Sequence, residues 1–600
     1  MPRRGMNSKD KPSDVKGTIQ KLLSYGSKYK LSFIIIFVVA ILSTIFSIIG
    51  PKILGNATQE LYTGLIAKVS GTGGINFQAI NSILLFLLIL YIASAIFSYI
   101  ESWIMANVSK KITYDLRKQM NEKIKKLPMK YFDSTTNGET LSIITNDIDT
   151  LGMSLNQSSV TIVTTLVTIV GIFIMMCTIS IPLAIFTALV LPVAGAFVGI
   201  IVKKSQKYFE NQQNYLGHVN SEVEEMLSGY TVVKAFNAEE KMLAKFESDN
   251  QELYKNAWKS QFISGMMHPI MNFVGNLNYV AIAILGAYYV IQGKINVGNI
   301  QSFIQYSKNF TQPIGQLAQV MAGFQSMLAA SERIFKFLDE EEEIEMPASE
   351  VDIKNLKGKV EFHHVKFGYQ ENRPIIKDFS LKVKEGEKIA IVGPTGAGKT
   401  TIVKLLMRFY KLSDGKITLD GEDISTLDKQ EYRHAFGMVL QDTWLFSGSV
   451  MDNLRYGNLN ASDEEVQEAA KLAHVDHFIE TLPEGYQTEL NEDTDNISSG
   501  QKQLLTIARA ILANPKVMIL DEATSNVDTR TEELIQSAMD ELMKGRTSFI
   551  IAHRLSTIKN ADKILVLNHG DIVEIGTHEE LLNKKGFYAE LYNSQFESLT

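Results

Sequence analysis

Several short stretches in the C-terminal half carry residue types and spacings suited to phosphate chemistry. In IAIVGPTGAGKTTIVKLL, Gly393 and Gly398 bracket four residues and are followed by Lys399 and Thr400, between a strand-like apolar run and a helix-like one. Glycines, here Gly393, Gly396 and Gly398, let backbone N–H groups curl round phosphate oxygens, and the dipole of the following helix adds to the pull; Thr395 and Thr401 belong to the same loop and helix start. Lys399 is placed for the terminal phosphates and Thr400 offers a hydroxyl to Mg²⁺. VMILDEATS ends an apolar strand in two carboxylates, Asp521 to hold Mg²⁺ through water and Glu522 to polarise an attacking water. His553 in SFIIAHRLST and Gln441 in MVLQDTWLF each follow an apolar strand. There an imidazole can meet a γ-phosphate, and an amide oxygen the metal or the water. Tyr369, ahead of the P-loop, suits either stacking on an adenine ring or ordinary core packing.

Short apolar strands alternating with helical runs over 351–600 predict an α/β domain whose parallel sheet delivers these groups to one edge. The first half of the chain is of another kind. A bilayer crossing takes roughly 20 apolar residues, and 31–50, 79–105, 158–179 and 181–202 qualify, with the less apolar 269–291 and 297–324 completing six. The N-terminal tail and the two long loops after the second and fourth spans are rich in lysine, which sets them on the cytoplasmic side with both chain ends. Helical periodicity in those loops extends the helices past the bilayer, with turns near 129–151 and 229–241 that are either plain hairpin turns or docking tips. The expected organisation is a tail and amphipathic lead-in helix (1–30), a six-helix membrane domain (31–335), an acidic solvated linker (336–350) and the α/β domain (351–600). The first apolar run is long enough to span a bilayer and lacks a small-residue cleavage site, so no cleaved signal peptide is expected. The net charge is only −7 and there is no basic stripe with interleaved aromatics, which argues against nucleic acid as a partner; the one cysteine, Cys177, lies in an apolar run and suits packing.

Taken together, the P-loop, Gln441, the stretch ISSGQ, Asp521-Glu522, Asp528 in SNVD and His553 occur in the order found in the nucleotide-binding domain of ABC transporters, and with six preceding spans the whole chain resembles a bacterial ABC exporter half-transporter of the multidrug or lipid type. That resemblance implies ATP and Mg²⁺ as ligands, Tyr369 as the adenine-stacking aromatic, and Glu522 as catalytic base with His553 and Gln441 beside it. It makes Thr400, Gln441 and Asp521 the metal set, and the two loop tips coupling elements. In this family two such domains close head to tail, so Ser498, Gly500, Gln501 and Asp528 would serve an ATP held chiefly by the partner. Glu492 falls where exporters place an acidic residue, but the surrounding glycines are missing. The usual signature is LSGGQ; this chain has Ile497 and Ser499 in place of the leucine and first glycine, while its own Walker residues are unaltered. The resemblance therefore implies a heterodimer with an unlike chain degenerate in its Walker B or H-loop, leaving one competent and one degenerate site, in the cytoplasmic (inner) membrane. A homodimeric lipid flippase, or an ATP-gated channel or regulatory membrane protein, is the alternative.

Cargo is less legible. In the sixth span Gln301, Gln305, Gln312, Gln316 and Gln319 fall in one sector of roughly 60° at about 100° per residue. The fifth carries Met266, Met267, Met271 and Phe273 beside Asn272, Asn276 and Asn278. Such faces suit an amphipathic drug-like or lipid-like compound, or polar packing between helices. Glu101, near the cytoplasmic end of the second span, fits interfacial placement or an ion site.

Overall fold

The computed structural model describes residues 14–343, 356–370, 373–441, 443–491, 496–521, 528–552 and 555–596, with the backbone alone at 159, 191, 311, 312, 314–319, 321, 322, 430, 555, 556, 595 and 596. The chain forms two compact units, residues 1–125 with 136–340, and 126–135 with 341–600.

The first unit is helical: α1 (Val15–Gly26), α2 (Lys30–Val69) and α3 (Phe77–Ile124), then, after α4 (Met129–Ser134) of the other unit, α5 (Asn137–Ser142), α6 (Ile148–Ile179), α7 (Ile181–Ser228), α8 (Tyr230–Ala235), α9 (Glu239–Gly265), α10 (Met267–Ile291) and α11 (Val297–Asp339). Among the described residues five stretches are long and apolar enough to cross a membrane: Val15–Val69, Phe77–Ile124, Asn137–Ile179, Ile181–Ser228 and Glu239–Ile291. The sixth expected span lies in α11, which is 43 residues long but diluted by glutamines. The helices outrun the expected spans. In particular α2 does not stop at residue 50 but continues through Pro51 for 40 residues in all. Buried hydroxyls attend the backbone loosened around that proline: Tyr306 donates to the Ile48 carbonyl at 2.8 Å and Ser302 to that of Pro51 at 2.9 Å.

These bonds tie α11 to α2, and so does contact between small residues. A Cβ at Gly298 would overlap the Gly55 carbonyl, so the two backbones touch as only glycines allow. Around them Ile48, Ile172, Met176, Ala184, Ile282 and Phe303 form a shared apolar core, with Cys177 packed at its edge. Elsewhere in the unit, a π-turn (Ile143–Asp147) turns the buried Asp147 carboxylate to Arg333 of α11, which holds it with two bonds of 2.8 and 2.6 Å. The lead-in helix α1 is ordered and anchored: Lys21 pairs with Asp339 and Tyr25 with Gln119. Just beyond it, Lys28 and Tyr29 both bond Asp115, at 2.8 and 3.1 Å. By contrast the α7–α9 hairpin packs along itself and exposes apolar side chains at its tip, Phe236 being 79% exposed.

The second unit is built on a six-stranded sheet and a four-stranded one. The strands are β1 (Val360–Phe367), β2 (Ile376–Val383), β3 (Lys388–Val392), β4 (Asp414–Leu419), β5 (Glu422–Asp423), β6 (Phe436–Val439), β7 (Gly448–Ser449), β8 (Glu489–Leu490), β9 (Val517–Asp521), β10 (Thr547–Ile551), β11 (Lys563–Asn568) and β12 (Asp571–Gly576). The larger sheet runs β12-β11-β3-β10-β9-β6, parallel except for β12 at its edge; the smaller, antiparallel one runs β2-β1-β4-β5. The central strands of the larger sheet are buried and mostly apolar because each face has its own core. Ala390, Leu520 and Ile550 look to one, Ile389, Ile519 and Phe549 to the other. Between the strands lie α12 (Lys399–Leu406), α13 (Lys429–His434), α14 (Val450–Arg455), α15 (Asp463–Leu472), α16 (Asp476–Thr481), α17 (Ser499–Ala513) and α18 (Thr529–Met543). The acidic run after α11, read as a solvated linker, is partly pinned. The N–H of Glu343 donates to the Lys126 carbonyl at 2.7 Å, and its carboxylate pairs with Lys429 and Arg433.

Replacing Gly298 by valine should push α2 from α11 and destabilise the unit by about 1–3 kcal/mol. The detergent-solubilised variant is expected to melt several degrees below the parent; an unchanged melting midpoint would show that the backbones do not touch there.

Candidate functional site

Strand register decides what meets at the carboxyl edge of the large sheet. Ile391 pairs with Ile551, Ile551 with Asp521, and Leu520 with Val439. One step further along these strands stand Val392, which leads into the P-loop, Ala552, Asp521 and Leu440. This is the side of an open α/β sheet on which ligands bind. In the chain Glu522 comes next after β9 and His553 second after β10, but both lie outside the described residues, as does Glu492. Gln441 is exposed, two residues past β6.

The loop from β3 to α12 turns through backbone conformations that favour glycine, with φ of 154° at Gly393 and 101° at Gly398, the N-cap of α12. Lys399 folds back over it, donating to the carbonyls of Gly393 at 2.7 Å and Pro394 at 3.1 Å. Burial holds its ammonium pKa below the ordinary lysine value, against the opposing pull of the Asp521 charge. Thr400 is exposed on the first turn of α12, as are Thr395 and Gly396 in the loop, while Thr401 is buried. A cavity of about 150 Å³ lies against Gly393, Thr395, Lys399 and Ala552, closed on its far side by Tyr588 and Tyr592 of the C-terminal helix. Nothing in the local sequence marks these tyrosines. The donor-rich loop, a cation and a neighbouring carboxylate fit a polyphosphate with a divalent cation, which Thr400 and Asp521 would hold.

Tyr369 is neither core nor isolated. Its hydroxyl lies 3.4 Å from that of Thr401, and its ring meets those of Phe367 and Tyr410 edge-on, each with centroids 5.0 Å apart. Lys404 sits 5.9 Å over the ring. Lys404 and Tyr410 also hold Asp133 of α4, the lysine at 2.8 Å, so the aromatic patch beside the P-loop helix is continuous with the loop segment 126–135. Burial raises the pKa of Asp133, but the bonds from Lys404 and Tyr410 outweigh it and leave the carboxylate below its usual range. The Tyr410 hydroxyl is pushed up, by burial first and then by Asp133. The sequence marked the loop tip but not this clamp.

The signature stretch forms the start of α17. Ser498 is its N-cap in a reciprocal capping box, the Ser498 N–H donating to the Gln501 side chain at 2.8 Å and the Gln501 N–H to the Ser498 hydroxyl at 3.3 Å. Ser499 is exposed at the first helical position, an ordinary place for a Cβ, whereas Gly500 is buried. Further along α17, Arg509 donates to the carbonyls of Asn453 at 2.9 Å and Trp444 at 3.1 Å, tying the helix to the segment that follows Gln441. Asp528 caps α18, accepting from the N–H groups of Arg530 and Thr531, and these bonds hold its carboxyl below the ordinary value.

Comparison with known proteins agrees with this layout. Residues 33–314 match the family model of the ABC transporter transmembrane region, and residues 376–525 that of the ABC transporter. The chain is 42% identical to a fatty acid ABC transporter ATP-binding/permease protein of Mycobacterium bovis, over 96% of each chain. It is 41% identical to an uncharacterised ABC transporter ATP-binding protein, YfiC, of Bacillus subtilis, over 99% of this chain and 97% of the other. With an ATP-dependent lipid A-core flippase of Syntrophus aciditrophicus it shares 34% identity over 87% of each.

Two outcomes follow. Tyr369→Ala should weaken ATP binding roughly three- to tenfold while leaving inorganic triphosphate, which has no ring, unmoved; equal losses for both would remove the tyrosine from base recognition. Asp133→Ala should lower amide protection over 129–134 by roughly three- to tenfold. Because the folded pKa of Asp133 is depressed, its contribution is complete above the unfolded value of about 4 and is lost as pH falls through the lower folded one, so these protection factors should agree between pH 6 and pH 8.

Proposed function

The chain belongs to the ABC transporter family, with a transmembrane region and an ATP-binding region in one polypeptide, and from that premise we propose that it is one half of a heterodimeric exporter of lipid-like or drug-like amphiphiles. The observation that carries the reading is the union, in a single chain, of apolar helices long enough to cross a bilayer with a sheet edge that gathers the P-loop, Lys399 and Asp521. ATP hydrolysis by such a domain is coupled to transport. A lipid-like cargo is supported by relatives named for fatty acid and lipid A-core transport, and by the amides and methionines along α10 and α11.

ATP would close two nucleotide-binding domains head to tail, and closure would turn the membrane cavity from inward-facing to outward-facing; this drives transport only because ATP binds the closed form better. Lys399 and the loop amides would hold the phosphates, with Mg²⁺ offsetting their charge beside Thr400 and Asp521. Glu522 would polarise the water, with His553 and Gln441 beside it, and hydrolysis would reset the pair. Asymmetry is supported by Ser499, exposed at the head of α17 where the partner's phosphate would approach, set against this chain's unaltered Walker residues. A Cβ and hydroxyl there would weaken the site that this chain's signature completes, while Glu522 would work opposite the partner's regular signature. The exposed apolar tip of the α7–α9 hairpin supports a second half for it to meet. Inner-membrane placement with both chain ends in the cytoplasm follows the lysine-rich loops.

Glu522→Gln, assayed within the native pair, should bind ATP as the parent does and lose at least about 100-fold in turnover; brisk hydrolysis would remove it as the base. Native mass spectrometry of the tagged chain drawn from its own membrane should give one copy with one unlike chain. Two identical copies would overturn the heterodimer and leave the exporter standing.

A further inference from the structure

A cavity of about 300 Å³ lies beside the lead-in helix, where α1 meets α3. Ser24, Lys28 and Tyr29 line it from the end of α1 and the turn that follows, Asp115 and Gln119 from α3, with the buried Ile112 between them. Sites for small organic molecules run from roughly 300 to 1,000 Å³, so the space is too large for a lone ion and suits a compact head group. Its neighbours fix its level. Tyr29 stands two residues before Leu31, where the first apolar run begins, and on α3 the cavity falls among Lys110, Lys111 and Lys118. Tyrosines and lysines at the end of an apolar run mark the head-group layer of a bilayer. Beyond it Leu31, Ile34, Ile35 and Val38 stand exposed on one face of α2, a stripe on which an acyl chain can lie.

The walls are bonded to one another but not saturated. Lys28 donates to one Asp115 oxygen at 2.8 Å, the Tyr29 hydroxyl to the same oxygen at 3.1 Å, and Tyr25 to the side-chain oxygen of Gln119. Among the described residues, the other Asp115 oxygen, the Gln119 amide N–H groups and the Ser24 hydroxyl have no hydrogen-bond partner. Lys28 itself keeps two further N–H donors while its bond to Asp115 stands. The lining thus carries one charge of each sign, with spare donors beside the cation and a spare acceptor on the anion. A bare anion would meet the free Asp115 oxygen, and a bare cation the Lys28 ammonium. A zwitterion lying antiparallel to the pair satisfies both, its phosphate taking bonds from Lys28, Gln119 and Ser24 and its ammonium giving one to Asp115. A primary ammonium can do so, whereas a quaternary one has no N–H to give.

We propose that this cavity is a binding site for the head group of a phospholipid that carries a phosphate and a primary ammonium, of the phosphatidylethanolamine type, in the leaflet on the lysine-rich side. The lead-in helix also bears on α11, through Lys21 with Asp339 and through the Tyr25 ring against that of Phe335, centroids 5.5 Å apart. A bound head group therefore braces α1 between α3 and α11.

The test titrates the purified full-length complex in detergent with dioleoyl phosphatidylethanolamine, phosphatidylcholine and phosphatidylglycerol, and counts bound lipid by native mass spectrometry. The tightest site of the parent should prefer phosphatidylethanolamine about tenfold over the other two. Lys28→Ala should bring the three within about twofold, and so should Ser24→Phe, which fills the space without touching the ion pair; Lys28→Arg should keep the parent's order. Tightest binding of any other lipid, no preference in the parent, or an ethanolamine preference that survives both Lys28→Ala and Ser24→Phe would overturn the site. Soluble phosphoethanolamine distinguishes the source of the head group. It should displace the lipid only at a concentration at least about 100-fold higher, since it lacks the acyl chains, and equal affinity would overturn a lipid in favour of a soluble ligand. Should both substitutions break the complex apart, hydrogen exchange of the parent decides. Phosphatidylethanolamine should raise amide protection over residues 15–29 about threefold above that in phosphatidylcholine, and equal protection would overturn the proposal.

Discussion

Parallel pairing of β3 with β10, β10 with β9 and β9 with β6 is the constraint on which the nucleotide chemistry of this chain depends. Parallel strands put all their carboxyl ends on one side, and their connections must cross back outside the sheet. Segments far apart in the chain, the P-loop and the strands β9, β10 and β6, thereby leave the sheet at one edge. The pairing requires both faces to be covered, and the two apolar cores, alternating along Ile389 to Val392, meet that requirement. What remains for the edge is polar: a glycine-turned loop, a half-buried Lys399 and the Asp521 charge beside it.

A second constraint governs the membrane helices, where backbone groups have no water to bond. Long unbroken helices satisfy it, and where Pro51 weakens α2 the hydroxyls of Tyr306 and Ser302 attend the neighbouring carbonyls. Helix contacts then come from small residues and a few polar pairs, Gly55 against Gly298 and Asp147 with Arg333. Segment 126–135, although it emerges from α3, belongs to the ATP-binding unit. Its Asp133 is held by Lys404 and Tyr410, and Tyr410 touches Tyr369. A change at the Tyr369 ring therefore has a short physical route into the loop, through two rings and one carboxylate.

The glycine-turned loop from β3 into α12 was legible in the sequence because such a turn needs glycines at fixed local spacing between an apolar strand and a helix. The capping roles of Ser498 with Gln501, and of Asp528, follow from the same local spacing. The long helices were legible from periodicity, although α2 ran on past Pro51 because its support comes from α11, some 250 residues away. The Asp133–Lys404 clamp joins residues 271 apart in the chain, and no local pattern announces it. Tyr588 and Tyr592 are a plain helix stripe in the sequence and meet the P-loop only through the fold. The acidic run misled for the opposite reason. Its composition reads as solvated, yet Glu343 finds Lys429 and Arg433 in space.

The central claim is that energy from ATP at the sheet edge moves an amphiphile across the bilayer against its gradient. Inside-out membrane vesicles containing the native complex, loaded externally with a fluorescent amphiphile and MgATP, test it most directly. Accumulation well above the external concentration, abolished when a non-hydrolysable analogue replaces ATP, is the predicted result. Equilibration to the external concentration and no further, with ATP or the analogue alike, would contradict it and describe a nucleotide-gated pore instead.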